Sequence, residues 1–115
     1  MRDQVLLQHI RDAAEAVIKY AGTKRELFMR SQMRQDATIR QIAIIGEAAK
    51  HLSSSIKQRA PEVPWMDVAG MRNFVIHEYH GVSRDVVWET ATKDVPALLE
   101  VVERLLAENK GRKAA

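Results

Sequence analysis

The chain of 115 residues contains no cysteine. This absence excludes disulfide bridges, cysteine-ligated zinc or iron–sulfur centres, and catalysis by a cysteine nucleophile. Long apolar runs are missing as well. None reaches the length of a signal-peptide core, and none approaches the roughly 18 residues of a membrane span. We therefore expect a cytoplasmic protein that has no membrane partner.

Aromatic residues are scarce, at 5 % of the chain, which predicts an aliphatic core of Leu, Ile, Val, Ala and Met. Alternating strand patterns are almost absent. Apolar residues instead recur at helical spacing over roughly 3–21, 33–52, 65–80 and 84–106. This predicts an all-α, up-and-down antiparallel four-helix bundle with one or two short extra helices. We expect a single domain over residues 1–109 and a frayed tail over 110–115, and the wide apolar stripes favour a homodimer.

Local signals predict where the helices begin, end and touch. Residues 23–26 match a capping box that would open a short helix, and Ser83 can cap the last helix. Gly46 lies inside a long helix at a cost of about 1 kcal/mol relative to alanine, which predicts the close approach of another helix. Pro96 lies inside the last helix and should kink or break it.

Positive charge is concentrated in one stretch. The net charge is +3, and residues 23–40 alone carry five basic and two acidic side chains, which accounts for the whole excess. The basic residues are Lys24, Arg25, Arg30, Arg34 and Arg40. Two interpretations stay open, a solvated helix face with long side chains or a surface that binds RNA.

A second stretch carries residue types that chemistry requires. Arg72, Asn73, His77, Tyr79 and His80 lie close together in the sequence. On a helix, Arg72 and Tyr79 share one face, and the other three form an adjacent polar stripe. Arginine binds phosphate through a planar fork, and histidine moves protons near neutral pH. These groups suit metal-independent cleavage of RNA by its own 2′-hydroxyl.

Two other interpretations of this stretch stay open. Its polar residues can be ordinary surface or interface residues. Alternatively, His77 and His80 can share a metal ion, although Asp67 and Glu47 are the only further ligands that the sequence offers. Ile76 falls inside the polar sector, which favours a second copy that covers it and doubles the arginine and histidine groups.

Several short motifs occur in a specific order along nearly the whole chain. They lie at 44–52, 63–65, 70–73, 77–79, 87–90 and 94–96. Among them, an arginine is followed five positions later by a histidine, and a tyrosine lies two positions after that histidine. Together they resemble the HepT-like branch of the HEPN family. The resemblance implies a helical bundle that forms homodimers, with the polar sector in a cleft at the dimer interface.

The resemblance also implies a function. HepT-like proteins are toxins of HEPN/MNT toxin–antitoxin pairs, and active members are metal-independent endoribonucleases that need no cofactor. Arg72 would bind the scissile phosphate, His77 would be the general acid or base, and Asn73 would orient them. The antitoxin partner, a small nucleotidyltransferase, would transfer AMP to Tyr79 and so neutralise the toxin. The alternative is a non-catalytic HEPN module that binds a nucleotide or a partner protein.

Overall fold

The computed structural model describes residues 2–73 and 83–114, with side chains up to residue 109. All regular elements in these ranges are helical, which confirms the all-α prediction. In chain order they are α1 (Arg2–Ala21), α2 (Arg25–Arg30), α3 (Gln32–Lys50), α4 (Ser54–Gln58), α5 (Trp65–Gly70), α6 (Arg84–Glu89), a π-helical turn (Thr90–Asp94) and α7 (Val95–Ala114). No helix in the described ranges is long and apolar enough to cross a membrane.

The three long helices α1, α3 and α7 form the core. α1 packs against both α3 and α7, and α5 packs against α3. Along α1 the buried residues recur every three or four positions, at Leu7, Ile10, Ala13, Ala14, Val17 and Ala21. A fully buried Leu, Ile or Val side chain contributes about 1.5–3 kcal/mol, so these apolar stripes hold the fold together.

Parts of the predicted architecture fall outside the described residues. The long helix predicted over 65–80 is not continuous, because α5 ends at Gly70 and a turn follows at Met71 and Arg72, and beyond Asn73 the prediction lies outside the described residues. The backbone of α7 is helical through the predicted tail as far as Ala114. The domain boundary at residue 109 and the homodimer stay predictions.

The predicted aliphatic core is confirmed, with Met71 buried in it, except that it also holds one aromatic side chain and leaves two methionines exposed. Phe28 is fully buried, and its ring centroid lies 5.3 Å from that of Trp88, which joins α2 to α6. Met33 and Met66 are 80 % and 90 % exposed. A single well-placed aromatic side chain fills the gap between two short helices, a contact that composition does not reveal.

The predicted capping box over 23–26 does not form. Lys24 occupies the N-cap position of α2, and no side chain bonds to the free backbone amides there. The C-terminal end of α2 is instead stabilised by side-chain hydrogen bonds. The buried Gln35 amide donates from Nε2 to the carbonyl oxygens of Phe28 and Met29, at 3.0 and 3.1 Å. These bonds satisfy carbonyls that a helix terminus leaves without partners.

Pro96 does not break the helix, as the prediction of a kink or break had allowed, and the chain accommodates it through a π-helical turn. Proline has no N–H and its ring crowds the carbonyl four residues earlier. The helix widens just before it, and the backbone N–H of Val95 bonds to the Thr90 carbonyl five residues back. The Thr92 hydroxyl donates to the Trp88 carbonyl at 2.7 Å. Ser83 caps α6, as predicted, by accepting from the Asp85 amide.

Two contacts fix the chain that follows α3. The Asp3 carboxylate accepts from the backbone amide of Ser53 at 2.9 Å and from its hydroxyl at 2.6 Å. Partial burial raises the pKa of Asp3, but these two bonds outweigh it and hold the pKa below its usual value. The first turn of α1 therefore anchors the chain just after the end of α3.

The segment leading into α5 is tied to α7 by a group of ion pairs. Arg59 bonds to Glu108 at 2.8 Å, and Arg104 bonds to Glu62 at 2.7 Å. The Trp65 indole donates to a carbonyl of the same segment, that of Ala60, at 3.0 Å. The start of α5 is thereby held against the body of the protein.

Candidate active site

The end of α5 lies directly on α3 at Gly46. A Cβ atom added at this glycine would overlap the backbone nitrogen of Arg72 and would lie 2.9 Å from the Met71 carbonyl carbon. Real Cβ atoms do not approach other atoms so closely, so only glycine fits here. The prediction that Gly46 permits the close approach of another part of the chain is confirmed.

Arg72 faces the residue that follows this glycine. Its Nε atom lies 3.5 Å from Oε2 of Glu47, and the other carboxylate oxygen, Oε1, lies 3.2 Å from Nε2 of His51. The three side chains are 41 %, 53 % and 42 % exposed for Arg72, Glu47 and His51 respectively. The result is a guanidinium, a carboxylate and an imidazole in a row that solvent can reach.

The exposure of this row decides what it can contribute. An ion pair at the surface adds only about 0–1 kcal/mol to stability, because water and salt screen it. The fold therefore does not depend on the pair between Arg72 and Glu47. An accessible guanidinium is, however, well suited to bind a phosphate through two parallel hydrogen bonds.

The structure places only part of the predicted catalytic set. Arg72 and Asn73 are adjacent and exposed at the end of α5. His77 and Tyr79 lie outside the described residues, as does His80. The roles assigned to Arg72, Asn73, His77 and Tyr79 therefore stay predictions.

Two members of the basic stretch have structural contacts. Arg25 pairs with Asp85 and so ties α2 to α6. Arg34 donates from Nη1 to the Tyr20 carbonyl at 3.3 Å, where it satisfies the C-terminal end of α1. Both side chains therefore have partners within the fold, which the charge of the stretch alone did not reveal.

The other members, Lys24, Arg30 and Arg40, are exposed. Within the described ranges, none of them has a carboxylate within salt-bridge distance. Arg40 lies two turns before Glu47 on the same side of α3, about 10 Å away along the axis. Lys24 precedes α2 and Arg30 is the last residue of α2, so both lie near the opposite end of α3. Only Arg40 is therefore close to Arg72 along α3, and an RNA-binding role for the stretch stays a prediction.

The sequence did not predict that Glu47 and His51 lie beside Arg72. Its motifs indicated Glu47 only as a loose metal ligand and indicated no role for His51. The available signal was the order of residues in α3: a glycine that admits another backbone, then an acid, then a histidine four residues later on the same face.

The described residues offer little to a metal ion. Among them, no three histidine, aspartate or glutamate side chains come together in a cluster that could hold one. A cavity of about 310 Å³ borders Met71, but Glu62, Asp67 and Asp94 line it. Carboxylates repel phosphate, so this cavity does not suit RNA.

Comparison with known proteins agrees with these features. The family model "Ribonuclease HepT-like" matches residues 10–105. The chain is 37 % identical over 105 residues to "Putative RNase TTE0752" of Caldanaerobacter subterraneus, covering 90 % of this chain and 94 % of that protein. It is 38 % identical over 101 residues to "Probable ribonuclease HepT" of Thermococcus cleftensis, covering 84 % and 92 %.

A third relative is longer. The chain is 37 % identical over 114 residues to "Gamma-glutamylcyclotransferase and putative RNase MJ0434" of Methanocaldococcus jannaschii, covering 96 % of this chain but only 51 % of that protein. No solved structure gave a significant match. The extent of the family match and the identity to these relatives show that the chain belongs to the HepT-like ribonuclease family.

Proposed function

We propose that the protein is a metal-independent endoribonuclease, the toxin of a HEPN/MNT pair, with a composite active site at a homodimer interface. The observation that carries the proposal is the placement of Arg72. Its backbone is seated on α3 at Gly46, while its side chain is 41 % exposed. A rigidly based but accessible arginine is what binding of a phosphodiester requires.

The proposed reaction uses the RNA's own 2′-hydroxyl. A base removes its proton, and the 2′ oxygen forms a bond to phosphorus while the bond from phosphorus to the 5′ oxygen breaks. An acid returns a proton to that leaving oxygen. His77 supplies the acid or base, Asn73 orients the groups, and Arg72 stabilises the extra negative charge on phosphorus. The products are a 2′,3′-cyclic phosphate end and a 5′-hydroxyl end.

A second copy of the chain would supply the second proton-transfer group. The proposal draws support from apolar side chains on the same side of α3 as Glu47. Met33 is 80 % exposed and Ile44 is 38 % exposed. Met33, Arg40, Ile44 and Glu47 follow one another at spacings of seven, four and three residues, so they lie on one face of α3. A row that mixes apolar and charged residues suits an interface beside a catalytic cleft.

Recognition of RNA would rest on its shape and its phosphates. Within the 23–40 stretch, Lys24, Arg30 and Arg40 are the exposed basic side chains without a described ion-pair or hydrogen-bond partner, so we propose them for phosphate contacts. Side chains of this type bind the backbone without reading base identity. We therefore propose binding with a strong dependence on salt concentration.

Substitution His77→Ala tests the function directly. We expect the purified protein to cut RNA and leave cyclic phosphate ends, and the variant to lose about 10²-fold or more of this activity, since a general acid or base contributes about that much. His9→Ala, which changes an exposed histidine of α1, is the matched control. Cleavage is measured by gel electrophoresis and end-group analysis, with and without EDTA.

The contrary outcomes are distinct. If the His77→Ala variant cleaves as fast as the parent, the assignment of His77 is wrong. Strong inhibition by EDTA would favour a metal-dependent site. Tight binding of a nucleotide without any cleavage would support the alternative, a non-catalytic module that binds a nucleotide or a partner.

We further propose that a cognate nucleotidyltransferase neutralises the protein by adding AMP to Tyr79. The tyrosine oxygen would attack the α-phosphorus of ATP, losing its proton, and pyrophosphate would leave. The added phosphodiester carries a negative charge that Arg72 could bind in place of RNA. Mass spectrometry after co-expression should show AMP on the parent protein and none on Tyr79→Phe. A Tyr79→Phe variant that still gains AMP and is still silenced would disprove this step.

A further inference from the structure

The pair between Glu47 and Arg72 has a specific geometry. The carboxylate lies 3.5 Å from Nε, the nitrogen nearest the side-chain stem. Among the described residues, no other carboxylate lies within salt-bridge distance of this guanidinium. With respect to carboxylates of the described residues, the two terminal nitrogens, which form the fork that phosphate prefers, keep their donors for another partner.

The carboxylate is itself held. His51, one helical turn further along α3, lies with Nε2 at 3.2 Å from the second oxygen of Glu47. The two residues stand four apart on one helix, so their spacing is set by the backbone. Gly46 fixes the backbone of Arg72 against the same turn of α3. The backbone of the arginine is thus constrained at Gly46, and its Nε lies within salt-bridge distance of a carboxylate that α3 carries one residue further on.

A carboxylate next to a phosphate-binding arginine has two opposing effects. Glu47 lowers the local positive potential and so opposes the binding of RNA. Its contact with Nε, however, restricts the rotation of a long side chain, and small errors in orientation reduce the rate of a reaction strongly. We therefore expect the Glu47 carboxylate to weaken the binding of RNA but to improve the alignment of the Arg72 guanidinium.

We propose that Glu47, supported by His51, is a positioning residue that orients the Arg72 guanidinium so that its two terminal nitrogens meet the phosphate of RNA. This inference rests on the ribonuclease function proposed above. Neither residue touches the reacting atoms. Both act through Arg72.

Kinetics of Glu47→Ala provide the main test. We expect kcat for RNA cleavage to fall about tenfold or more, since misalignment alone can cost that much. KM should stay the same or decrease, because a negative charge has been removed from the RNA-binding surface. Glu47→Gln, which keeps an oxygen that can accept from Nε, should recover part of the lost kcat. Glu15→Ala, which changes an exposed acid of α1, is the matched control.

A double-mutant cycle tests the part played by His51. His51→Ala should lower kcat by a smaller factor in the parent, and should have no further effect in Glu47→Ala. If His51→Ala lowers kcat equally in both backgrounds, His51 acts independently of Glu47 and that part of the proposal is wrong. If Glu47→Ala cleaves as fast as the parent, or faster, the positioning role is disproved.

A measurement that does not use activity separates this inference from the function. In NMR spectra of the RNA-free protein, the Nε–H signal of Arg72, assigned by its loss in Arg72→Lys, should show restricted motion. It should become mobile in Glu47→Ala. A parent that cuts no RNA would disprove the ribonuclease function, and an Nε–H signal equally restricted in both proteins would disprove the positioning.

Discussion

Replacement of Arg72 by lysine is expected to lower kcat/KM for RNA cleavage about 10²–10³-fold, the range found when one donor to a developing negative charge is lost. Lysine keeps the positive charge but has no planar fork and no Nε. It can neither bind a phosphate through two parallel hydrogen bonds nor make the same contact with Glu47. The rate is measured on a defined RNA at fixed salt concentration.

The fold should survive this substitution. Because the Arg72 side chain is 41 % exposed, the ion pair that is lost contributes little to stability. Arg11→Lys is the matched control, since the Arg11 side chain is 39 % exposed and pairs with a neighbouring acid. An Arg72→Lys variant that melts like the parent but cleaves poorly supports the proposal. A variant that retains full activity shows that a point charge suffices and that the fork is not used.

Replacement of Gly46 by alanine is expected to have the second large effect. The added methyl group would overlap the backbone nitrogen of Arg72, and a backbone atom cannot rotate away as a side chain can. The end of α5 must therefore move off α3. Overpacking of this kind typically costs about 1–3 kcal/mol. We expect a lower melting temperature and lower activity per folded molecule, measured well below the melting transition.

Gly70→Ala is an unusually close control for this experiment. Gly70 is the last residue of α5, and a Cβ atom added there would meet nothing within 4 Å. Alanine is also favoured over glycine in a helix by up to about 1 kcal/mol. This variant should be as stable as the parent or more stable. If both alanine variants behave alike, the close seating of Arg72 on α3 is contradicted.

The two substitutions affect the same unit in different ways. Gly46→Ala moves the backbone of Arg72, whereas Arg72→Lys changes only the side chain that this backbone carries. The first should lower both stability and activity, and the second should lower activity alone. Such a separation would distinguish the seating of the Arg72 backbone at Gly46 from the chemistry of the Arg72 side chain.

Much of the fold could be predicted because its signals are local. The stripe along α1, the Ser83 cap and the disturbance of the helix before Pro96 each depend on residues a few positions apart. The errors arose where distant residues decide the outcome. The short helix α2 is held by Phe28 packing on Trp88 and by Gln35, not by the capping box that its sequence suggests. Local propensity is weak in so short a helix, and tertiary contacts override it.

For the site, the sequence by itself determined the family, because the order of its motifs carries the family resemblance. It also predicted a chemistry of arginine, asparagine, histidine and tyrosine without a thiol, which stays a proposal. Gly46 even showed that another part of the chain must approach α3. Only the tertiary structure decided that the approaching part is the backbone of Arg72, and that Glu47 and His51 belong beside it. Helical spacing fixes which residues of one helix share a face, but the partner of that face depends on how the whole chain packs.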